Sequence, residues 1–321
     1  MIDADIPLPS SGQVTLTNRI LMRITGPGTD KFLQGQFSQN LAEVIPGYSP
    51  RAAAATPKGR AYCLTRMVRN GDDVLLVLSS ELAEATLNHL RKYLMLFRGT
   101  SAEIIDSGQV TGLFGVQSAE ALAGKALSSL EKPGDTVQLP DGFLIRVEPT
   151  AEGLERFEFW QLRGPAPTAS ADTPLANWLA SEISAGVADL TEATTEAFVP
   201  QMLNWQHLGG VHFKKGCYTG QEIIARMHFL GQLKRSLFRF RLDQAGQMPA
   251  PGANVLAGDR SVGTLVNAVR FTNGTIELLA VVRHDVAGDS LTIDGTPSQP
   301  LTQLPLPYSV PEREPAVETD T

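Results

Sequence analysis

The sequence predicts an α+β protein that ends in an all-β domain. Through the first ~230 residues, helical patterns interrupt pairs of strand-like segments. After Gly231 the segments are short, β-rich and separated by Gly, Asp, Asn or Pro, which is typical of a small barrel or sandwich. We therefore expect an α/β region over 1–232, an all-β domain over 233–305 and a disordered, acidic, Pro-rich tail over 306–321.

The first elements are a strand and a long helix. The apolar stretch RILMRITG (19–26) indicates a strand. In the following stretch, Leu33, Phe37, Leu41 and Val44 recur at helical spacing. The pattern predicts one helix that continues to the Pro46-Gly47 pair.

A hairpin and alternating helices and strands follow. Residues 61–79 read as two strands joined at Asn70-Gly71, a strong hairpin signal. Thr173 is suited to cap a helix and Pro174 to begin it. The remaining predictions are helices over 81–97, 118–127 and 174–183, a strand over 110–116 and a strand pair within 142–162.

Composition limits the classes of protein to which this chain is expected to belong. The chain has 321 residues, a net charge of −7 and two cysteines, so a disulfide framework is excluded and free thiols are expected. No basic-then-apolar leader and no run of about 18 apolar residues is visible. We therefore expect a cytoplasmic protein without a membrane partner.

One region is locally basic despite the negative total. Between 214 and 241 only Glu222 opposes seven cations. Such a region is either a solvated face or a surface that attracts a polyanion, namely a polyglutamylated cofactor or RNA. The seven are Lys214, Lys215, Arg226, Lys234, Arg235, Arg239 and Arg241.

One cysteine lies in the stretch FKKGCYTGQE (213–222). Thr219 and Glu222 have the spacing of a capping box, which predicts a helix from about Gly220 to about Leu230. Cys217 then lies two residues before the N-cap, where the helix dipole and two lysines favour a thiolate and a depressed thiol pKa. The alternatives are a buried, inert cysteine, or an anion site that leaves the sulfur unused.

Four segments in order resemble the YgfZ-type folate-binding proteins. These belong to the superfamily of the glycine-cleavage T-protein, an aminomethyltransferase that uses tetrahydrofolate. Together the segments extend the resemblance from about residue 10 to about residue 305. They are GPGTDKFLQGQFSQNL (26–41), TPKGRA (56–61), FVPQMLNWQHLGGVHFKKGCYTGQE (198–222) and AVVRHD (280–285).

The resemblance implies a fold, a cofactor and a site. The fold is two intertwined α/β subdomains around a central hole, followed by an antiparallel β-barrel. The cofactor is tetrahydrofolate, possibly polyglutamylated, and the clients are iron–sulfur enzymes, notably those that methylthiolate tRNA. Cys217 carries over as the functional cysteine. The implied cofactor-binding residues are Lys215, Gly216, Tyr218, Gly220, Gln221, Glu222, Gln201, Trp205 and Arg226.

Several of these residues have alternative roles. Gln201 stands where the T-protein has a glutamate that contacts the pterin, and an amide bonds that edge differently. Trp205 and Tyr218 suit either stacking on a pterin or core packing. Arg226 is one turn from Glu222, so an i,i+4 ion pair competes with ligand binding.

Other chemistries fit less well. The T-protein's transfer step depends on a carboxylate, and the matching stretch KGRAYCL (58–64) has none. Because a positioned acid or base contributes about 10²–10⁴ in rate, the chain is not expected to be an aminomethyltransferase. Folate-dependent one-carbon transfer and a tRNA-binding module over 214–241 remain the alternatives. No Cys or His spacing typical of a permanent metal site occurs.

Overall fold

A computed structural model describes residues 3–164, 172–229, 233–243, 247–286, 290–296 and 299–311. In this part the chain is a mixed α/β protein with three antiparallel sheets. The helices are α1 (Thr29–Gln36), α2 (Ala83–Leu94), α3 (Gly115–Ala123), α4 (Leu175–Ser184) and α5 (Gln221–Phe229). The strands are β1 (Gly12–Thr15), β2 (Arg19–Thr25), β3 (Arg51–Ala55), β4 (Ala61–Asn70), β5 (Asp73–Ser79), β6 (Ser101–Ile104), β7 (Gln109–Phe114), β8 (Thr136–Leu139), β9 (Gly142–Val147), β10 (Arg156–Gln161), β11 (Arg235–Leu242), β12 (Asn254–Ala257), β13 (Arg260–Arg270), β14 (Ile276–Arg283), β15 (Leu291–Ile293) and β16 (Thr302–Leu304).

The first sheet has the strand order β3-β4-β5-β2-β6. The hairpin of β4 and β5 forms, but it turns at Gly71-Asp72, one residue later than the predicted Asn70-Gly71 pair, because Asn70 still pairs with Asp73. Helices α1 and α2 cover one face, where Phe32 and Leu33 of α1 join Leu87 and Leu90 of α2 in one core. The apolar residues of α2 therefore lie on one face of a helix, as their spacing predicts.

The second sheet has the order β1-β7-β10-β9-β8. Because β1 belongs to it, the chain leaves this sheet, builds the first one and then returns. Helix α4 packs Trp178 against β7 at Gly112, where an added Cβ would lie 2.4 Å from the indole. Only glycine fits at that position.

The third sheet has the order β15-β12-β13-β14-β11-β16 and curls into a half-barrel. The prediction of a closed barrel is wrong, because β15 and β16 lie at opposite edges and do not pair in the described part of the chain. Both edge strands are three residues long. A bulge between Leu265 and Asn267 bends β13 and contributes to the curl.

The predicted long helix ends early. Helix α1 stops at Gln36, and Phe37 is extended (φ −115°, ψ 156°). Phe37 forms a bridge to Ala54, and the Ser38 N–H donates to the Ala53 carbonyl at 2.8 Å. Bonds to the edge of β3 thus replace helical bonds over a sequence that keeps helical spacing.

Smaller predictions also need correction. Thr173 does not cap α4: Pro174 is the N-cap residue, and the Thr173 N–H donates to the Gln13 carbonyl. Residues 306–311 of the expected tail are described, and among them the Tyr308 hydroxyl donates to the Gly186 carbonyl at 2.7 Å. Residues 312–321 lie outside the described residues.

A buried ion-pair network joins the first two sheets. Arg51 on β3 and Arg66 on β4 contact Glu148, which follows β9, at 2.9 and 3.1 Å. Arg156 on β10 contacts Glu182 of α4 at 2.7 Å. Burial raises the pKa of Glu148, but the two guanidinium groups outweigh it and hold this pKa well below its ordinary value.

Replacing Glu148 by Gln is expected to destabilise the fold, since two buried arginines lose their counter-charge. The free energy of unfolding should fall by about 3–5 kcal/mol. Urea unfolding at neutral pH measures the change. The control is Glu103→Gln, which breaks a half-exposed pair with Arg23 and should cost less than about 1 kcal/mol. Equal losses for the two variants would contradict a structural role for the network.

Candidate functional site

Cys217 is an exposed free thiol on the loop that precedes α5. Cys63, on β4, is a buried free thiol. Burial raises the pKa of Cys63 to about 12, so this thiol is unreactive at neutral pH. Cys217 is therefore the cysteine that a ligand or partner can reach.

The Cys217 loop is fastened to the C-terminal end of α1 by Lys215. The Lys215 ammonium donates to the carbonyls of Gln34 and Phe37, both at 2.6 Å. Carbonyls at a helix C-terminus lack intrahelical donors and carry the negative end of the dipole, so a cation is favourable there. The ammonium also lies 4.6 Å from the centre of the Tyr218 ring. Burial lowers the pKa of Lys215 to about 7.

More backbone groups of the same segment join the two parts. The Thr219 N–H donates to the Gly35 carbonyl at 3.1 Å, and the His212 N–H to the Ser38 carbonyl at 2.9 Å. The Ser38 hydroxyl donates to the Gly210 carbonyl at 2.6 Å. Because α1 ends early, the carbonyls of Gln34, Gly35, Phe37 and Ser38 accept hydrogen bonds from the segment 212–219.

The turn TPKGR (56–60) contacts the start of α5, and a glycine on each side of the contact, Gly59 and Gly220, allows the close approach. Gly59 has φ +72°, and a Cβ there would lie 2.8 Å from Ile223 Cβ. Gly220 has φ +82°, and a Cβ there would lie 2.6 Å from the Thr56 carbonyl oxygen. Left-handed backbone and close approach both require glycine at these positions.

Beneath α5 lie Gln201 and Trp205, each about 1% exposed. The Gln201 amide nitrogen donates to the Ile224 carbonyl at 2.6 Å. Gln201 Oε1 and Trp205 Nε1 are buried without a hydrogen-bond partner among the described residues. One unused acceptor and one unused donor therefore lie in the same region of the core.

The structure divides the predicted site residues into exposed and buried groups. Gly216, Cys217, Glu222 and Arg226 are exposed. Tyr218 is buried, and its ring packs with Trp205 and Ile224. Burial raises the pKa of Tyr218 well above its ordinary value.

Two local expectations are not met. The Thr219 hydroxyl points to the Gly35 carbonyl at 3.5 Å, and the Gln221 side chain, not that of Glu222, accepts the Tyr218 N–H at 3.3 Å. The capping box is therefore absent from the described residues. The ion pair expected between Glu222 and Arg226 is likewise not formed within the part of the chain that is described.

A small polar cavity lies on the far side of Trp205. It is bordered by Arg51, Arg66 and Glu182 of the ion-pair network, and its volume is about 20 Å³. That is room for about one water molecule, whereas ligand pockets reach about 300 Å³ or more. This cavity does not hold a pterin as it stands.

The described part of the chain has neither a metal-binding cluster nor a membrane-spanning helix. No group of three or more His, Cys, Asp or Glu residues in this part is arranged to hold a metal ion. No helix within it has the length and apolar character needed to span a membrane.

Similarity to relatives of a known family identifies the family of this chain. It is 33% identical over 315 residues to the tRNA-modifying protein YgfZ of Escherichia coli, covering 93% of this chain and 94% of the relative. The protein of the same name from Shigella dysenteriae matches at the same identity and coverage. The chain belongs to the YgfZ family. No family model matches it.

A solved structure supports the fold of this YgfZ-family chain. The crystal structure of the glycine cleavage system aminomethyltransferase T from Bartonella henselae aligns with a TM-score of 0.69 over 93% of this chain and 86% of that one. The identity is 16%, so the likeness concerns the fold alone. The mixed α/β architecture resembling the T-protein is thereby established.

Sequence reasoning missed the residues that hold the loop. The sequence pattern assigns no role to Ser38 or to the carbonyls of Gln34, Gly35 and Phe37, although the segment FLQGQFSQNL belongs to a stretch that resembles the family. The sequence signal for this attachment was the presence of both that motif and the K-G-C motif. The two motifs are distant in sequence and are in contact in the folded chain.

The stability contributed by Lys215 should depend on pH. Its folded pKa of about 7 lies below the ordinary 10.5, so between these values the unfolded chain binds more protons. Stability therefore rises with pH across this range. The free energy of unfolding of the native chain minus that of Lys215→Met should increase from about pH 6.5 to about pH 9, measured by urea unfolding. A difference independent of pH would contradict the buried, easily deprotonated ammonium.

Proposed function

We propose that this chain binds tetrahydrofolate beside Cys217 and supports the iron–sulfur clusters of tRNA-modifying enzymes such as the tRNA methylthiotransferase. The observation that carries the proposal is the convergence of three family segments, 26–41, 56–61 and 198–222, on one exposed thiol. The relatives' name, tRNA-modifying protein, supports the RNA-related part.

The residues present suit a pterin. Gln201 Oε1 needs a donor and Trp205 Nε1 needs an acceptor, and a pterin edge carries groups of both kinds. An unsatisfied buried polar atom costs about 1–3 kcal/mol, which a bound ligand would recover. Tetrahydrofolate supplies a carrier for one-carbon units. Because both residues are about 1% exposed, binding requires neighbouring side chains to move.

Cys217 is proposed as the group that acts on a client. Its loop is fastened at Lys215 and at Thr219, so the sulfur is exposed while the backbone on both sides is held. A cysteine sulfur held in this way is able to attack an electrophile, ligate iron, or open a partner's disulfide by forming a mixed disulfide and releasing the other thiol.

Aminomethyl transfer is not proposed. No carboxylate lies in residues 58–64, and the Arg60 guanidinium there is bound to the Ala197 carbonyl at 2.6 Å. The positioned acid or base of the T-protein's reaction therefore has no counterpart in this stretch.

The proposal also includes the domain organisation and the cellular location that the family resemblance implies. The α/β region over 1–232 would be two intertwined subdomains, which the return of the chain from the first sheet to the sheet of β1 supports. The half-barrel would fill 233–305. The protein would act in the cytoplasm, where its clients and folate are found.

Tetrahydrofolate is expected to bind saturably, one molecule per chain, and to quench the fluorescence of the buried tryptophans. Gln201→Met removes the unused acceptor and should weaken the affinity about 5- to 100-fold. Calorimetry confirms stoichiometry and affinity. The control is Gln138→Met, an exposed glutamine of β8, which should bind normally. Equal affinities for both variants would place folate elsewhere.

Cys217→Ala should abolish function in cells while leaving folding and folate affinity unchanged. The measurement is tRNA methylthiolation in a bacterium that lacks its own relative, quantified by mass spectrometry of tRNA nucleosides. Cys63→Ala, which removes the buried thiol, is the matched control and should restore modification if it folds. Full activity of Cys217→Ala would refute the thiolate role.

A further inference from the structure

An aromatic cluster lies at the C-terminal end of α5, where Phe213 of the segment before the helix meets His228 and Phe229. The rings of Phe213 and His228 are stacked, with centroids 3.5 Å apart and planes 8° from parallel. Phe229 meets His228 edge-on at 4.8 Å. Phe229 is 46% exposed, so part of an aromatic ring that is fixed by its neighbours faces solvent.

Exposed cations that have no partner among the described residues lie on α5 and on the segment before it. Glu222, Arg226 and Phe229 recur at +4 and +3 and form one exposed stripe along α5. Arg226 has neither an ion pair nor a side-chain hydrogen bond in the described residues, and the same holds for exposed Lys214, which adjoins Phe213. Arg235, at the start of β11, is a third exposed cation without such a partner.

The combination is more informative than its parts. A single exposed phenylalanine is ordinary on a protein surface, and a single unpaired arginine is too. A fixed aromatic ring bordered by unpaired cations is the arrangement that binds single-stranded nucleic acid, with bases stacked on rings and phosphates held by Lys and Arg. On α5 the acidic residue near these cations is Glu222, and no other residue of this helix is acidic.

We propose that this surface, formed by Phe229, Arg226 and Lys214, binds an unpaired stretch of RNA. A base stacks on the exposed ring of Phe229, and the flanking phosphates contact Arg226 and Lys214. The inference rests on the proposed role in tRNA modification and deepens it, because it names RNA itself as a ligand of the protein that bears Cys217.

The test uses the full chain and two probes: a short single-stranded RNA that carries a fluorescent purine analogue, and an unmodified tRNA transcript. Stacking should quench the analogue in the native chain. Phe229→Ala should abolish the quenching and weaken binding about 5- to 100-fold. Arg226→Gln and Lys214→Gln should weaken binding and flatten its dependence on salt.

Matched controls come from the loop after α2. Leu96→Ala removes a residue that is 79% exposed and apolar, and Arg98→Gln removes an exposed cation. Both should bind RNA as the native chain does. An unchanged midpoint of urea unfolding and an unchanged circular dichroism spectrum in every variant show that the fold is intact.

Three results would overturn the inference. They are no RNA binding by a native chain that binds tetrahydrofolate, equal RNA binding by the native chain and Phe229→Ala, and displacement of the RNA by oligoglutamate without any effect of Phe229→Ala. The last result would assign the cations to an acidic chain. RNA binding that requires Phe229 in a protein that fails to bind tetrahydrofolate would support this inference and refute the folate proposal.

Discussion

Helix α1 ends with carbonyl groups that have no donors of their own, and the buried Lys215 ammonium satisfies two of them. This contact fixes where the Cys217 loop lies, because Cys217 is two residues further on. The contact is possible because α1 is short. If the helix continued to Pro46, the carbonyls of Gln34 and Phe37 would bond to later N–H groups and the loop would lose its attachment.

The rest of the site is built outward from that contact. The Thr219 N–H on the Gly35 carbonyl holds the far side of the loop, and the two glycines at 59 and 220 let the TPKGR turn approach the start of α5. Gln201 ties α5 to the core through the Ile224 carbonyl. Hydrogen bonds thus hold the backbone on both sides of Cys217, while its sulfur is exposed.

Local patterns predicted most of the helices and the main hairpin, since periodicity and the Asn-Gly turn report on local structure. They missed β3, whose sequence RAAAA has low strand propensity, and short β1, β6 and β8. They also extended α1 through Phe37, because the competing bonds come from β3, a segment distant in sequence. Closure of the third sheet depends on whether its edge strands meet, which no local pattern encodes.

The motif predicts which residues form the candidate site, but it does not predict which of them are buried. The motif placed Lys215 and Arg226 together as ligand-binding cations, yet one is 8% exposed and holds backbone carbonyls while the other faces solvent. Hydrogen–deuterium exchange with and without tetrahydrofolate tests the account most directly. It predicts slower exchange together in 34–39, 56–60 and 198–224. No change in these segments at saturating ligand, or protection confined to the third sheet, would contradict it.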